Sequence, residues 1–161
     1  IVLPGSFMDH VQAGDVTMQA ETAAVHEAEF KAGPERYPPL TRALIEDGMK
    51  TPAREYARAQ RTRVEFRKDI QEAFRDVDVL LTPTTPSPAP RDLTTTGNRA
   101  FQGPWTTAGL PAVTIPSSLD GHGLPLGIQL ASGPFTEENL LAVARWCEEA
   151  LDIRLMPPGT A

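Results

Sequence analysis

Serine and lysine are the residues of this sequence that could together form a nucleophilic site. A serine that attacks a carbonyl group needs a general base and hydrogen-bond donors for the oxyanion. The pair Ser117-Ser118 follows Pro116 without a Gly-x-Ser-x-Gly elbow, and no lysine lies near it in sequence. All three lysines fall on predicted helices or their ends: Lys31, Lys50 and Lys68. We therefore predict no catalytic residue in this chain and interpret the serine pair as hairpin-loop residues.

Histidine and cysteine are the residues that would mark a metal or redox centre. The histidines lie in three unrelated segments without the HxxH or HExxH spacing of metal ligands: His10, His26 and His122. Cys147 has no CxxC partner and falls on the predicted buried stripe of the last helix, which favours an inert core thiol. Since the sequence also lacks a glycine-rich nucleotide fingerprint, we expect neither a metal ion nor an organic cofactor.

Composition and charge exclude several classes of protein. The chain has 161 residues, of which 40% are hydrophobic and 22% charged, as in a soluble globular domain. Its net charge of −6 disfavours general binding to nucleic acid or an anionic membrane. No apolar run approaches the ~20 residues that span a bilayer, and the single cysteine is typical of a reducing compartment. We therefore expect a cytoplasmic protein with no nucleic-acid or membrane partner.

The first residues are typical of the interior of a longer protein. Ile1 to Pro4 predict the end of a buried strand, and the chain begins without Met or the basic region of a signal peptide. We expect one partial domain over residues 1–161. It has a helical section at about 16–75 and a sheet and pocket section at about 77–151.

Three helices are predicted in the helical section. The first runs from Val16 to Phe30 after Asp15 as N-cap, and the second starts near Pro38-Pro39 and ends at Gly48 as its C′ residue. The second helix is expected to bury Leu40, Ala43 and Leu44. The third, from Ala53 to Arg75, has an apolar stripe widened by Val64 and Phe74. Its seven basic and four acidic residues fit either a solvated face or a partner-docking surface.

Strands dominate the later predictions. Val77 to Leu81 form a nearly continuous apolar run, which favours a parallel strand buried on both faces, with the proline-rich loop 82–90 at its carboxyl end. Alternating residues predict an antiparallel hairpin from Ala112 to Leu130 that turns at Asp120 to Gly123. A final helix starts at Thr136 and is expected to bury Leu140, Leu141, Ala144, Cys147 and Leu151.

Four motifs, in order and with compatible spacing, resemble the C-terminal part of the amidase signature family. They are Asp78-Val79-Leu80-Leu81-Thr82-Pro83-Thr84-Thr85-Pro86, Phe101-Gln102-Gly103-Pro104-Trp105, Gly109-Leu110-Pro111-Ala112-Val113-Thr114-Ile115-Pro116 and Gly123-Leu124-Pro125-Leu126-Gly127-Ile128-Gln129-Leu130. Upstream, Tyr37-Pro38-Pro39-Leu40-Thr41-Arg42 and Tyr56-Ala57-Arg58-Ala59 resemble the family's helical section. The resemblance covers nearly the whole chain.

The resemblance implies an α/β class fold: the C-terminal part of an α/β/α architecture, with helices around a mixed sheet, a C-terminal hairpin and a final helix. It also implies hydrolysis of carboxamides by a Ser–cis-Ser–Lys triad without metal or organic cofactor. The Gly/Ser-rich stretch that would carry these serines is absent from this sequence. The expected partners are a small amide substrate, the missing N-terminal half of the enzyme and a second copy in a homodimer.

By the same resemblance, the chain supplies walls of the substrate pocket. The expected substrate-binding residues are Arg42, Thr84, Thr85, Gln102 and Trp105, the last two in a loop before the hairpin. Trp105 could instead be a core aromatic and Arg42 a surface arginine.

Three functions remain open on the sequence: a general amidase, the A subunit of a tRNA-dependent amidotransferase, and a non-catalytic binding module on the same scaffold. Thr106-Thr107 before Ala108-Gly109, where many relatives have Asn, favours the general amidase.

Overall fold

Helices build the first part of the chain and a small sheet builds the second. The computed structural model describes Leu3, residues 5–92 and residues 94–154. Of these, residues 5–69 form one compact unit. Leu3 and the described residues from Ile70 onward form another. The expectation of a single partial domain stays a prediction, and the expected strand at Ile1 to Pro4 lies, apart from Leu3, outside the described residues. No helix in the described ranges is long and apolar enough to cross a membrane.

The first long helix begins earlier than predicted. Helix α1 covers Asp9–Ala32, after a 3-10 turn at Gly5–Met8, so Asp15 lies inside the helix and is not its N-cap. Its buried positions start before the predicted Val16, at His10 and Ala13, and continue along the helix to Phe30. Packing along this face outweighs the cost of about 1 kcal/mol that glycine brings to a helix interior at Gly14.

Helix α2 covers Pro39–Lys50 and packs against α1 through residues other than those expected. Ile45 is fully buried, whereas Leu40 is 73% exposed and Ala43 is also exposed. Gly48 lies within α2 and contacts α1 so closely that a Cβ atom would lie 2.7 Å from the Cβ of Ala23. The expected C-cap role of Gly48 is therefore wrong, and the glycine permits close helix packing.

Helix α3 covers Ala53–Ala73: it begins where the sequence predicts and ends two residues before the expected Arg75. Ala59 packs with Ala13 and Val16 of α1, and Phe66 and Ile70 are fully buried. Two hydrogen bonds join the same helices: Tyr56 Oη donates to Glu21 Oε1 at 2.9 Å, and Gln60 Nε2 donates to Thr17 Oγ1 at 3.1 Å. Val64, expected on the buried stripe, is 68% exposed.

The sheet has three antiparallel strands in the order β1-β3-β2: β1 at Val79–Pro83, β2 at Ala112–Leu119 and β3 at Pro125–Ser132. The α/β class is confirmed. The expectation that β1 is parallel and buried on both faces is wrong, because β1 pairs antiparallel with β3 at the side of this sheet and Leu81 is 58% exposed. An apolar run predicts a strand, but it does not specify the direction of the neighbouring strand.

The hairpin of β2 and β3 and its turn are confirmed. Asp120 Oδ1 accepts hydrogen bonds from the backbone N–H groups of His122 and Leu124, both at 2.8 Å. These two hydrogen bonds hold the pKa of the Asp120 carboxyl below its usual range, and the bond from Leu124 has the larger effect. Gly123 has a φ of 81°, in the left-handed region that favours glycine. The backbone of Gly121 lies outside that region.

The serine pair lies in strand β2 and not in the hairpin loop. Pro116 pairs with Gly127 and Ser118 with Leu126, so Ser117 is the extra residue of a β-bulge.

Helix α5 covers Glu137–Leu151 and packs on one face of the sheet. Its buried residues Leu140 and Ala144 form a core with Ile115 and Leu130, and Cys147 packs against this core half-buried. Leu141 and Leu151 were expected in the core but are 59% and 38% exposed. The buried stripe of α5 is therefore narrower than the sequence predicts.

Candidate functional site

A row of polar side chains crosses the sheet on the face opposite to α5. Gln129 on the central strand pairs in register with Thr82 on β1 and with Thr114 on β2. Side chains alternate between faces along a strand, so Gln129 lies opposite to Leu130, which packs against α5. This polar face is the part of the sheet that can offer hydrogen bonds to a ligand.

Gln129 connects the polar face to the segment before β2. Its side chain is only 4% exposed, and Nε2 donates to the carbonyl oxygen of Phe101 at 2.8 Å and to Thr82 Oγ1 at 3.4 Å. A buried amide without partners would cost about 1–3 kcal/mol, so these bonds fix the position of residue 101 on the sheet. The site expected from the sequence does not include Gln129, although a polar residue inside an apolar strand is a signal for it.

Thr84 lies at the end of β1 beside the central strand. Its backbone N–H donates to the carbonyl oxygen of Gly127 at 3.0 Å, and its Oγ1 donates to Thr114 Oγ1 at 3.4 Å. The two threonines meet across β3 because Gly127 has no side chain; a Cβ there would lie 2.8 Å from Thr84 Oγ1. Thr85, by contrast, donates to the carbonyl oxygen of Ser87 at 2.7 Å within its own loop.

A short helix stands where the sequence predicted a loop. Helix α4 covers Gly103–Ala108, with Gln102 as N-cap residue and Gly109 in the left-handed region at its C-cap. Gln102 is half-buried, and Trp105 is buried with 3% exposure, as the core-aromatic interpretation expects. The bond from Gln129 to Phe101 places the start of this segment on the polar face.

Arg42 belongs to the other unit, on α2. Its Nη2 donates to the carbonyl oxygen of Tyr37 at 3.4 Å, and its Nε is buried without a hydrogen-bond partner among the described residues. The Tyr37 hydroxyl lies 3.2 Å from His26 Nδ1, so His26 is a hydrogen-bond partner of Tyr37. The roles of all five expected substrate-binding residues stay predictions.

The described residues contain no group of three His, Cys, Asp or Glu side chains that could hold a metal ion. Two of the lysines form exposed ion pairs within their own helices, Lys31 with Glu27 and Lys50 with Asp47.

Comparisons with known proteins agree with this architecture. The A subunit of the glutamyl-tRNA(Gln) amidotransferase from Parvibaculum lavamentivorans is 42% identical over 109 residues, which are 63% of this chain and 22% of that protein. The crystal structure of an amidase superposes with a TM-score of 0.82 at 27% identity, over 89% of this chain and 36% of that one. A second structure is that of a vestigial protein complex described as revealing the evolutionary origins of an s-triazine catabolic enzyme. It superposes with a TM-score of 0.81 at 27% identity, over 93% of this chain and 35% of that one.

The chain thus spans about a fifth of the curated relative and about a third of each solved chain. The family model described as Amidase matches residues 2–141, nearly the whole sequence. Together with the helices and the antiparallel sheet, this match shows that the chain belongs to the amidase signature family.

Proposed function

We propose that the protein to which these residues belong hydrolyses the C–N bond of carboxamides, and that this chain forms its C-terminal segment. The observation that carries the proposal is the family match over residues 2–141. The similarity to a solved amidase over 89% of the chain supports it. Hydrolysis by the family's Ser–cis-Ser–Lys triad would use residues that precede Ile1, in an N-terminal portion that is the first expected partner.

The share of this chain in the reaction is substrate binding and positioning. The hydroxyl of Thr84 and the amide of Gln102 can exchange hydrogen bonds with the carbonyl and N–H groups of a small amide. The buried Gln129 acts on the pocket indirectly, because its bond to Phe101 holds the segment that carries Gln102 and Trp105. Thr85 and Arg42 complete the proposed set. The proposal includes no metal ion or organic cofactor.

The test uses the protein expressed with its upstream coding sequence and a panel of aliphatic and aromatic amides. Thr84→Val removes a hydroxyl at nearly constant volume, and we expect relative kcat/KM values within the panel to change by about tenfold. Thr95→Val, in the exposed loop before α4, is the matched control. Unchanged relative kcat/KM values in Thr84→Val would contradict a substrate-binding role for this residue.

The A subunit of a tRNA-dependent amidotransferase is the second candidate, favoured by the relative that is 42% identical over 109 residues. A protein of this kind would copurify with ammonia-accepting partner subunits, whereas a general amidase would turn over amides without them. Copurification from the source organism separates the two. If the longer protein turns over no amide, either with or without partner subunits, this result would favour the non-catalytic binding module.

A further inference from the structure

A pocket of about 600 Å³ lies between α1 and α3 within the helical unit. Its apolar floor includes Ala13, Val16 and Ala59, the buried cluster that joins the two helices. The volume falls in the range of about 300–1,000 Å³ that is typical of small-molecule sites. The hydrogen bonds Tyr56–Glu21 and Gln60–Thr17 hold the two walls together.

Three arginines line the pocket from one face of α3: Arg54, Arg58 and Arg61. Their spacing of four and three residues places them on successive turns. Within the part of the chain that the structure describes, none of the three forms an ion pair or a hydrogen bond through its side chain. Other exposed cations do, as Arg75 with Glu72 and Arg145 with Glu149 show. With Asp9 and Glu55 also in the lining, the pocket keeps a small excess of positive charge in a chain of net charge −6.

The chemistry of the cluster selects a class of ligand. Guanidinium groups bind phosphate and carboxylate in a bidentate way, and three of them offer more donors than the two oxygens of one carboxylate can accept. A phosphate group of charge near −2 with three terminal oxygens matches them better. Asp9 and Glu55, also in the lining, can accept hydrogen bonds from hydroxyl groups of the same ligand, and the apolar floor can contact its carbon skeleton.

We propose that the pocket between α1 and α3 binds a small organic phosphate, with Arg54, Arg58 and Arg61 holding the phosphate group. This proposal does not depend on the amidase activity proposed above and can fail separately from it.

The test is to titrate the 161-residue chain separately with phenyl phosphate, benzoate and phenol. The NMR signals of the arginine Nε–H groups report binding in each titration. We expect phenyl phosphate to shift these signals, benzoate to bind at least several-fold more weakly and phenol to leave them unchanged. Binding should weaken as salt is raised, since exposed charges are screened. Equal binding of benzoate and phenyl phosphate, or no effect of phenyl phosphate at millimolar concentration, overturns the proposal.

Variants locate the site. Arg58→Gln should weaken phenyl phosphate binding about tenfold or more, because it removes charge-assisted hydrogen bonds. Arg58→Lys keeps the charge but loses the planar donor fork, so its loss should be smaller but measurable. Lys68→Gln removes the same charge from the same helix outside the pocket lining, and circular dichroism checks that each variant folds. Equal losses in Arg58→Gln and Lys68→Gln would mean that general charge accounts for binding, which also overturns the proposal.

Discussion

Gly48 shows how a single residue sets the distance between two helices. It lies inside α2, where glycine costs about 1 kcal/mol relative to alanine in an exposed helix. Here the space is already occupied, because a Cβ at this position would lie 2.6 Å from the carbonyl carbon of Gln19 on α1. The neighbour is backbone, which cannot move aside as a flexible side chain can.

We therefore expect Gly48→Ala to destabilise the chain, by about 1–3 kcal/mol, although helix propensity alone predicts the opposite sign. Urea unfolding gives the free energy change. Gly121→Ala is the control, since a Cβ at Gly121 meets nothing within 4 Å and its backbone lies outside the left-handed region. A Gly48→Ala variant as stable as the parent would show that α1 and α2 do not pack this closely.

The Asp120 carboxylate gives the hairpin turn a pH dependence. Its pKa is lowered in the folded state by the N–H groups of Leu124 and His122, so the carboxylate stabilises the turn above its unfolded pKa. That contribution is lost as the pH falls through the lowered folded pKa. We expect the Leu124 amide to exchange hydrogen faster, relative to the intrinsic rate, as the pH is lowered from about 6 to about 2. In Asp120→Ala this pH dependence should disappear; its persistence would assign the effect to another group.

Helix α5 provides a comparison between two adjacent leucines. Leu140 is 3% exposed and packs in the sheet core, whereas Leu141 is 59% exposed. Leu140→Ala should cost about 2–5 kcal/mol because it leaves a cavity, and Leu141→Ala less than about 0.5 kcal/mol. Thermal unfolding of both variants measures the difference. Similar losses would mean that something outside this chain covers Leu141 or that the helix is rotated.

Among the helices and strands, the sequence predicts best the elements that interactions between nearby residues determine. The hairpin and its turn follow from alternation and from Asp120 and Gly123, and the structure confirms both. The antiparallel pairing of β1 was missed because a strand partner about fifty residues away leaves no mark on an apolar run. Helix α4 was missed because its six residues include Gly103, Pro104 and two threonines, which are weak helix formers, and tertiary packing decides the outcome.

The candidate site was predicted less completely than the fold. The sequence places Thr84, Gln102 and Trp105 in one substrate pocket, and this remains a prediction; the hydrogen bonds of Gln129 connect the segment after Phe101 to the polar face. Gln129 itself is a buried amide whose partners come from 28 and 47 residues away in sequence. Such partners depend on register and topology, which single-sequence patterns do not fix.

We expect this chain alone to show no amidase activity. Attack on an amide needs a nucleophile, a base and oxyanion donors acting as one unit. Ser117 lies in a β-bulge, and Lys31 and Lys50 pair with carboxylates. Ammonia release from small carboxamides by the purified chain measures this. Turnover that is lost in Ser117→Ala or Ser118→Ala would contradict the prediction and identify a catalytic residue in this chain.

The strand order β1-β3-β2 has a consequence for synthesis on the ribosome. The central strand β3 is the last of the three in the chain, so neither β1 nor β2 can pair with it when it emerges. At about 5–20 residues per second, β1 waits roughly 2–10 seconds for β3. During that interval Leu80, Leu81 and the backbone groups of β1 that later bond to β3 are open to other nascent chains. The three-stranded sheet can be completed only after β3 is made, and Pro86, Pro88 and Pro90, which follow β1, keep that strand from extending into a longer aggregation-prone one before then.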